Sequence, residues 1–311
     1  ASILRGSGNM LLPGVVLAAT SLLQIGLGGL LTFGIGPLPE LGIRGPATAL
    51  VIAFGLATLV LGACVASGIS GVHLKPRTVR LRARHFMEIL KVGAVACGLA
   101  LLTISTVLIV TRLVASLGPA ALAGFGLGSR LELMLVPLAF GIGGAMTASV
   151  GINFGAHQYA RARRIAWTGG LLVGLVTTAI GLIVALHPPL WLSHFTSDAD
   201  AYRVGAHYLR IVGPLYGFFG MGMALYFATQ GTGNMIGPCI AGCLRILVAA
   251  GGGALLVKGL GLGAGPLFGC VAAGLCVFGT TIAGSLFTKV WHVERKSGRP
   301  PDTGMKTPVG P

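Results

Sequence analysis

Of the 7 acidic residues in the sequence, only Glu132 is set well inside a long apolar run. A carboxylate placed in hydrocarbon is costly, so it marks either an ion or substrate pathway or a paired structural charge. Such a group binds a proton or a sodium ion, or attracts an organic cation. Its run begins near Pro119, a residue suited to a first helical position. At 1.5 Å per residue Glu132 then lies about 20 Å along the helix. That is near the middle of a long span that Pro137 and Gly141 are expected to bend. The candidate ion-pair partners are Arg112, Arg130 and Arg245. Arg130 is two residues away and does not share the face of Glu132. Arg112 stands near the outer end of its run and is expected to snorkel. Arg245 follows Pro238 in an otherwise apolar run, as a fixed charge between helices or a cap for carbonyls at a kink.

A second cluster is apolar. Tyr216, Phe218, Phe219, Met221, Met223, Tyr226 and Phe227 crowd one run. Ring faces attract cations and methionine packs adaptably, so such a set suits a cavity for varied organic cations. These residues reach every face of a helix, so only some line a cavity. Tyr216, Phe219, Met223 and Tyr226 are the candidates, with helix packing or lipid contact as the role of the rest. Cys64, Cys97, Cys239, Cys243, Cys270 and Cys276 all fall in apolar runs with no histidine or carboxylate at ligand spacing. They read as small packing residues, and no metal site or cofactor is expected.

The elements that must position these groups are membrane helices. The chain has 311 residues, 54% of them hydrophobic and only 9% charged, with 52 glycines. Its mean hydropathy is +0.88. An average soluble domain carries about 25% charged residues, so an ordinary cytosolic enzyme, a disordered chain and a secreted disulfide scaffold are excluded. What remains is an all-α polytopic membrane protein. Eight apolar runs fall near 11–34, 45–72, 92–117, 119–153, 165–192, 206–230, 236–257 and 264–291. Period-2 alternation is absent, which argues against a transmembrane barrel.

The net charge of +15 comes from 22 basic and 7 acidic residues. Fifteen of those 22 lie on one side of the predicted bundle: Arg5, the segment from Lys75 to Lys91, Arg161, Arg163 and Arg164, and the tail from Lys289. The bias of Lys and Arg assigns that side, and both ends of the chain, to the cytoplasm. The loops opposite are short or acidic, with Glu40, Asp198 and Asp200. The basic segment 73–91 also carries Phe86, Ile89 and Leu90 and is expected to lie on the anionic inner leaflet. Nucleic acid is not an expected partner, because the basic residues sit between apolar runs.

Gly6-Ser7-Gly8-Asn9-Met10-Leu11-Leu12-Pro13 matches Gly231-Thr232-Gly233-Asn234-Met235-Ile236-Gly237-Pro238, and Gly45-Pro46 corresponds to Gly265-Pro266. Six runs separate the two copies, so both enter the membrane in the same direction, as in a parallel transporter repeat. In the second copy four helices precede the turn; in the first only Ala1 to Arg5 do. The sequence therefore reads as a fragment lacking about four upstream helices, roughly 140 residues.

Several motifs carry a resemblance to a known family. They are Gly36-Pro37-Leu38-Pro39-Glu40-Leu41-Gly42-Ile43-Arg44-Gly45, Leu113-Val114-Ala115-Ser116-Leu117-Gly118 and Ala123 to Glu132, then Gly151-Ile152-Asn153-Phe154-Gly155-Ala156 with Arg161, and both Gly-x-Gly-Asn turns. In this order they resemble the multidrug and toxic compound extrusion (MATE) transporters. The resemblance implies that 1–72 are the last two helices of an N-lobe and 73–91 a cytoplasmic interlobe linker. It implies a six-helix C-lobe over 92–291 and a cytoplasmic tail over 292–311. It further implies a multi-pass protein of the inner membrane, a monomer, that exports cationic or amphipathic organic compounds in exchange for H+ or Na+ by rocking-type alternating access. No covalent chemistry is implied, so the chain is not expected to be an enzyme.

The departures from the family bear on coupling. Gln24 and Gly28 stand where many members carry Asn and Asp, the helix from Val92 to Thr111 has no acid, and Phe219 takes another acidic position. The chain thus resembles the DinF-like branch more than the sodium-coupled one. The alternatives are a flippase-like transporter of lipid-linked headgroups in the same superfamily, and an inactive truncated remnant. A flippase cavity needs several cations for pyrophosphate, whereas the deep ones here are Arg130 and Arg245.

Overall fold

The computed structural model describes residues 1–6, 8–9, 11–34, 39–68, 83–288 and 291. Among these, eight helices are long and apolar enough to cross a bilayer. They are α1 (Leu11–Phe33), α2 (Gly45–Ala66), α3 (Ala83–Ala115), α4 (Pro119–Gly155), α5 (Tyr159–Leu186), α6 (Ala199–Thr232), α7 (Ile236–Gly259) and α8 (Ala264–Ser285). Short helices at Ser2–Gly6 and Pro189–Leu192 flank them, and no strand occurs among the described residues.

Helices α2, α5 and α8 end at Ala66, Leu186 and Ser285, six residues before the expected spans do. Three helices start earlier than expected, for one physical reason. Hydropathy marks the part of a helix that sits in hydrocarbon, whereas a helix continues into the interface as long as its backbone bonds are made. Thus α5 starts at Tyr159 and takes in Arg161, Arg163 and Arg164, and α6 starts at Ala199. Likewise α3 starts at Ala83, inside the expected linker 73–91. The remainder of that linker, 73–82, and the expected tail 292–311 lie outside the described residues.

Asp198 caps α6, its side chain accepting from the backbone of Asp200 at 2.9 Å. The Gly213–Leu215 segment tightens to a 3₁₀ turn around Pro214, whose ring supplies no N–H for the α-helical ladder. In α7 the segments Leu247–Gly252 and Leu255–Gly259 widen to π-helix. At their described residues the two copies of the sequence repeat share a glycine turn and an asparagine cap. Gly8 (φ 90°) and Gly233 (φ 74°) take positive φ that an L side chain resists. The next residue caps the following helix each time: Asn9 Oδ1 accepts from Leu12 N, and Asn234 Oδ1 from Ile236 N.

Helix α4 packs on α5 and α6, α6 on α5 and α8, and α7 on α8 and α3. Helices α1 and α2 pack chiefly on each other. The core holds Tyr208, Tyr216, Leu225, Phe268 and Leu275, while leucines such as Leu59, Leu175 and Leu186 stand exposed on the outside. Apolar outside and inside alike is what a lipid solvent permits. Without a hydrophobic drive between helices, close backbone approach provides the association. Gly124 of α4 lies against Ala201 and Gly205 of α6, and Gly128 lies against the ring of Tyr208.

Candidate functional site

Glu132 lies on the inner side of α4, with its side chain 14% exposed, and Arg245 of α7 faces it with 8% exposed. An Arg245 guanidinium nitrogen donates to Glu132 Oε1 at 2.9 Å. The second carboxylate oxygen, Oε2, stands 3.5 Å from the Tyr208 hydroxyl of α6, a long contact by hydrogen-bond standards. The pair thus joins three helices around one buried charge and its counter-charge. Arg112 and Arg130, the other candidate partners, are both exposed and do not join it. Arg130 is turned away by the helical spacing, and Arg112 lies at the end of its helix.

Arg245 has a second set of neighbours. Its guanidinium carbon lies 5.3 Å from the ring centre of Phe219 and 5.6 Å from that of Phe278. Those rings are 6.4 Å apart. Phe219 is therefore a seat for a protein cation. The same helix supplies Tyr216, fully buried with its hydroxyl 3.5 Å from the carbonyl of Gly128. Met223 and Tyr226 are half-buried, and the Tyr226 hydroxyl accepts from Gln230 at 2.7 Å.

A small cavity of about 80 Å³ opens beside Glu132, enough for a few water molecules. Thr106, Ser129, Tyr208, Arg245 and Ala249 are among its walls. A roomier one of about 560 Å³ lies between the Ser2–Gly6 turn and the α4–α6 seam, lined by Arg5, Phe140, Thr147, Phe227 and Gln230 among others. Tyr216, Phe219, Met223 and Tyr226, the expected cavity residues, line neither. The reason is packing: α6 is enclosed by α4, α5 and α8, so most of its aromatic faces are spent on helix contacts. Tyr208, by contrast, was not singled out by its type. The available signal was Gly124-x-x-x-Gly128, a small-residue spacing that admits a neighbouring helix at the turn before Glu132.

Among the described residues no cluster of His, Cys, Asp and Glu has the makings of a metal site. The six cysteines are free thiols. The chemistry that the site offers is that of one carboxylate, one guanidinium and two phenol hydroxyls largely enclosed by helices beside a small cavity.

Comparisons with known proteins give the arrangement a context. The MatE family model matches residues 96–252. The chain is 27% identical over 248 residues to a protein of Thermotoga maritima named probable multidrug resistance protein NorM, covering 80% of this chain and 53% of that protein. It is 25% identical over 236 residues to a protein of Shewanella oneidensis named FAD transporter, covering 73% of this chain and 50% of the relative. Among solved structures it is similar in fold to the Vibrio cholerae MATE transporter VcmN in its bent form, with a TM-score of 0.73 and 23% identity. That match covers 92% of this chain and 63% of the other. The chain spans about half the length of the curated relatives it matches.

Proposed function

The chain belongs to the MatE family of transporters, and on that premise we propose that it forms part of a secondary antiporter exporting cationic or amphipathic organic compounds. The exchanged ion is H+ or Na+, and the cycle is a rocking of two helical bodies. Residues 1–72 are the end of one body and 92–291 the other, joined by the basic segment 73–91. The basic face is cytoplasmic, the membrane is the inner one, and the working unit is a monomer. Within the family, Gln24, Gly28 and Phe219 favour the DinF-like branch over the sodium-coupled branch.

The observation that carries this reading is the buried Glu132–Arg245 pair. An ionisable group within a membrane bundle is a functional site by default, and this one sits beside a cavity and touches three helices. A second reading, export of a flavin nucleotide, is favoured by the likeness to the FAD transporter and by Arg5 on the roomier cavity.

The test is ethidium accumulation in cells making the full-length protein, wild type against Glu132→Gln, at matched expression in the membrane. The wild type lowers accumulation and the variant restores it to the level of cells without the transporter. Unchanged efflux in the variant removes Glu132 from coupling, and no efflux by the wild type ends the reading for this class of cation.

A further inference from the structure

A third cavity, of about 330 Å³, lies where α6 and α8 end and α7 begins. Thr229, Asn234, Thr281, Ser285 and Trp291 give it polar walls, and among the described residues no charged one lines it. Part of this polarity is spent on the protein. Thr229 and Ser285 donate to the carbonyls of Tyr226 and Ile282, and Asn234 Oδ1 caps α7. Three donors are not spent. The Thr281 hydroxyl, the Asn234 amide nitrogen and the Trp291 indole N–H have no hydrogen-bond partner among the described residues. Trp291 weighs most, because it is only 3% exposed. A buried donor left unpaired is rare in a folded protein and points to an occupant. Its ring is held in place, edge to face with Phe154 at 6.2 Å.

The outer wall says what the occupant must be. Ile236 and Ile240 border the pocket, and with Leu244 and Leu247 they form one exposed face of α7. At 1.5 Å per residue this stripe runs about 16 Å along the helix, the depth of one leaflet's hydrocarbon. Water would satisfy the donors but not the stripe. A molecule with acceptors at one end and an apolar chain at the other satisfies both. There is room for it: α7 and α8 touch where Gly237 meets Ser285, whereas a Cβ on Gly284 would meet nothing. Tryptophan is at home at this depth, its ring in the apolar zone and its N–H at the polar edge. The free donors are neutral, which suits ester carbonyls and leaves the charge of a headgroup unread, since phosphate is gripped by Arg or Lys.

We propose that this pocket holds one glycerophospholipid of the adjoining leaflet. An ester carbonyl accepts from the Trp291 N–H, other lipid oxygens accept from Asn234 and Thr281, and one acyl chain lies along Ile236, Ile240, Leu244 and Leu247. The site does not depend on what the protein carries, so it stands or falls apart from the antiporter reading.

The test is native mass spectrometry of the purified full-length protein, released from detergent with dioleoyl phosphatidylethanolamine, dioleoyl phosphatidylglycerol or the dialkyl-ether analogue of the first. The wild type retains one lipid more tightly than the rest, and the two diesters bind alike. The ether analogue, which lacks the carbonyls, binds about fivefold more weakly, the effect of one neutral hydrogen bond. Trp291→Phe keeps the ring and loses the N–H, so it binds the diester about fivefold more weakly and no longer tells it from the ether. Gly284→Leu fills the pocket without striking a neighbour, keeps the thermal stability of the wild type and loses the tight lipid. A tight lipid that persists in folded Gly284→Leu is not in the pocket and overturns the proposal. So does a Trp291→Phe variant that still favours the diester over the ether. A strong preference for the anionic phosphatidylglycerol overturns recognition by neutral donors. A wild type that holds no lipid more tightly than the rest has water or another part of the protein in the pocket, and that too overturns the proposal.

Discussion

Arg245 is nearly as enclosed as the apolar side chains around it, so its energetics are those of a buried ion. Removing one member of such a pair strands the other charge, at about 3–5 kcal/mol, whereas replacing both by apolar groups of like volume is near neutral. Arg245→Met is therefore expected to destabilise the protein strongly, and Glu132→Leu/Arg245→Met to recover most of that loss, as read by unfolding in detergent. Tyr208→Phe should cost under about 1 kcal/mol, because the 3.5 Å contact it removes is long. Tyr208→Ala should cost about 3–5 kcal/mol, because its ring packs against Phe125 and Phe268. At this scale the sequence named Glu132 but not its partner. A carboxylate amid apolar residues is conspicuous by type, whereas helical spacing sets aside only Arg130, and it takes folding to bring position 245 to position 132 across 113 residues.

Hydropathy made the elements legible, since a bilayer sets how many apolar residues a helix needs. It did not disclose their register. The first π-helical turn of α7 runs into Gly251-Gly252-Gly253, a signal of a loosened helix but not of its register, and the 3₁₀ break in α6 has Pro214 as its signal. Register decides the seam that carries the site, because Gly124 and Gly128 of α4 admit α6 while Gly126 points to open space. A methyl group on Gly128 would strike the ring of Tyr208, and the seam cannot yield locally because Gly124 is held against the backbone of Ala201 and Gly205. Gly128→Ala is expected to lower stability by about 1–3 kcal/mol through overpacking. Gly126→Ala, two residues along the same helix, is expected to be neutral or to stabilise by up to about 1 kcal/mol through helix propensity. Thermal unfolding of the two variants side by side reads the difference, and equal effects would mean that the α4–α6 seam is looser than its packing indicates.

The whole molecule divides where its helix contacts thin out. Helices α1 and α2 hold mainly to each other, while α3 to α8 share one core. The Ser2–Gly6 turn bridges the two groups by resting on α4, where an Arg5 guanidinium nitrogen stands 3.4 Å from the position a Cβ on Gly144 would take. The cavity of about 560 Å³ opens at this same seam, bounded by Phe140 and Phe227, whose rings meet edge to face at 4.6 Å. If the two groups belong to the two rocking bodies that the proposed mechanism requires, this seam must part and close in each cycle. At this opening Gly144 meets only the far end of the Arg5 side chain, while Gly151 lies against the backbone of Gly231 on α6. Cysteines placed by Arg5→Cys and Gly144→Cys in the full-length protein, with the six native cysteines replaced, should be joined by a short cross-linking reagent. Ethidium efflux should then fall to the level of cells without the transporter and return when a cleavable cross-link is reduced. The single-cysteine variants, treated in the same way, should keep their efflux. Efflux that persists in the fully cross-linked pair would show that the seam stays closed throughout transport, and the moving boundary would then have to lie elsewhere in the bundle.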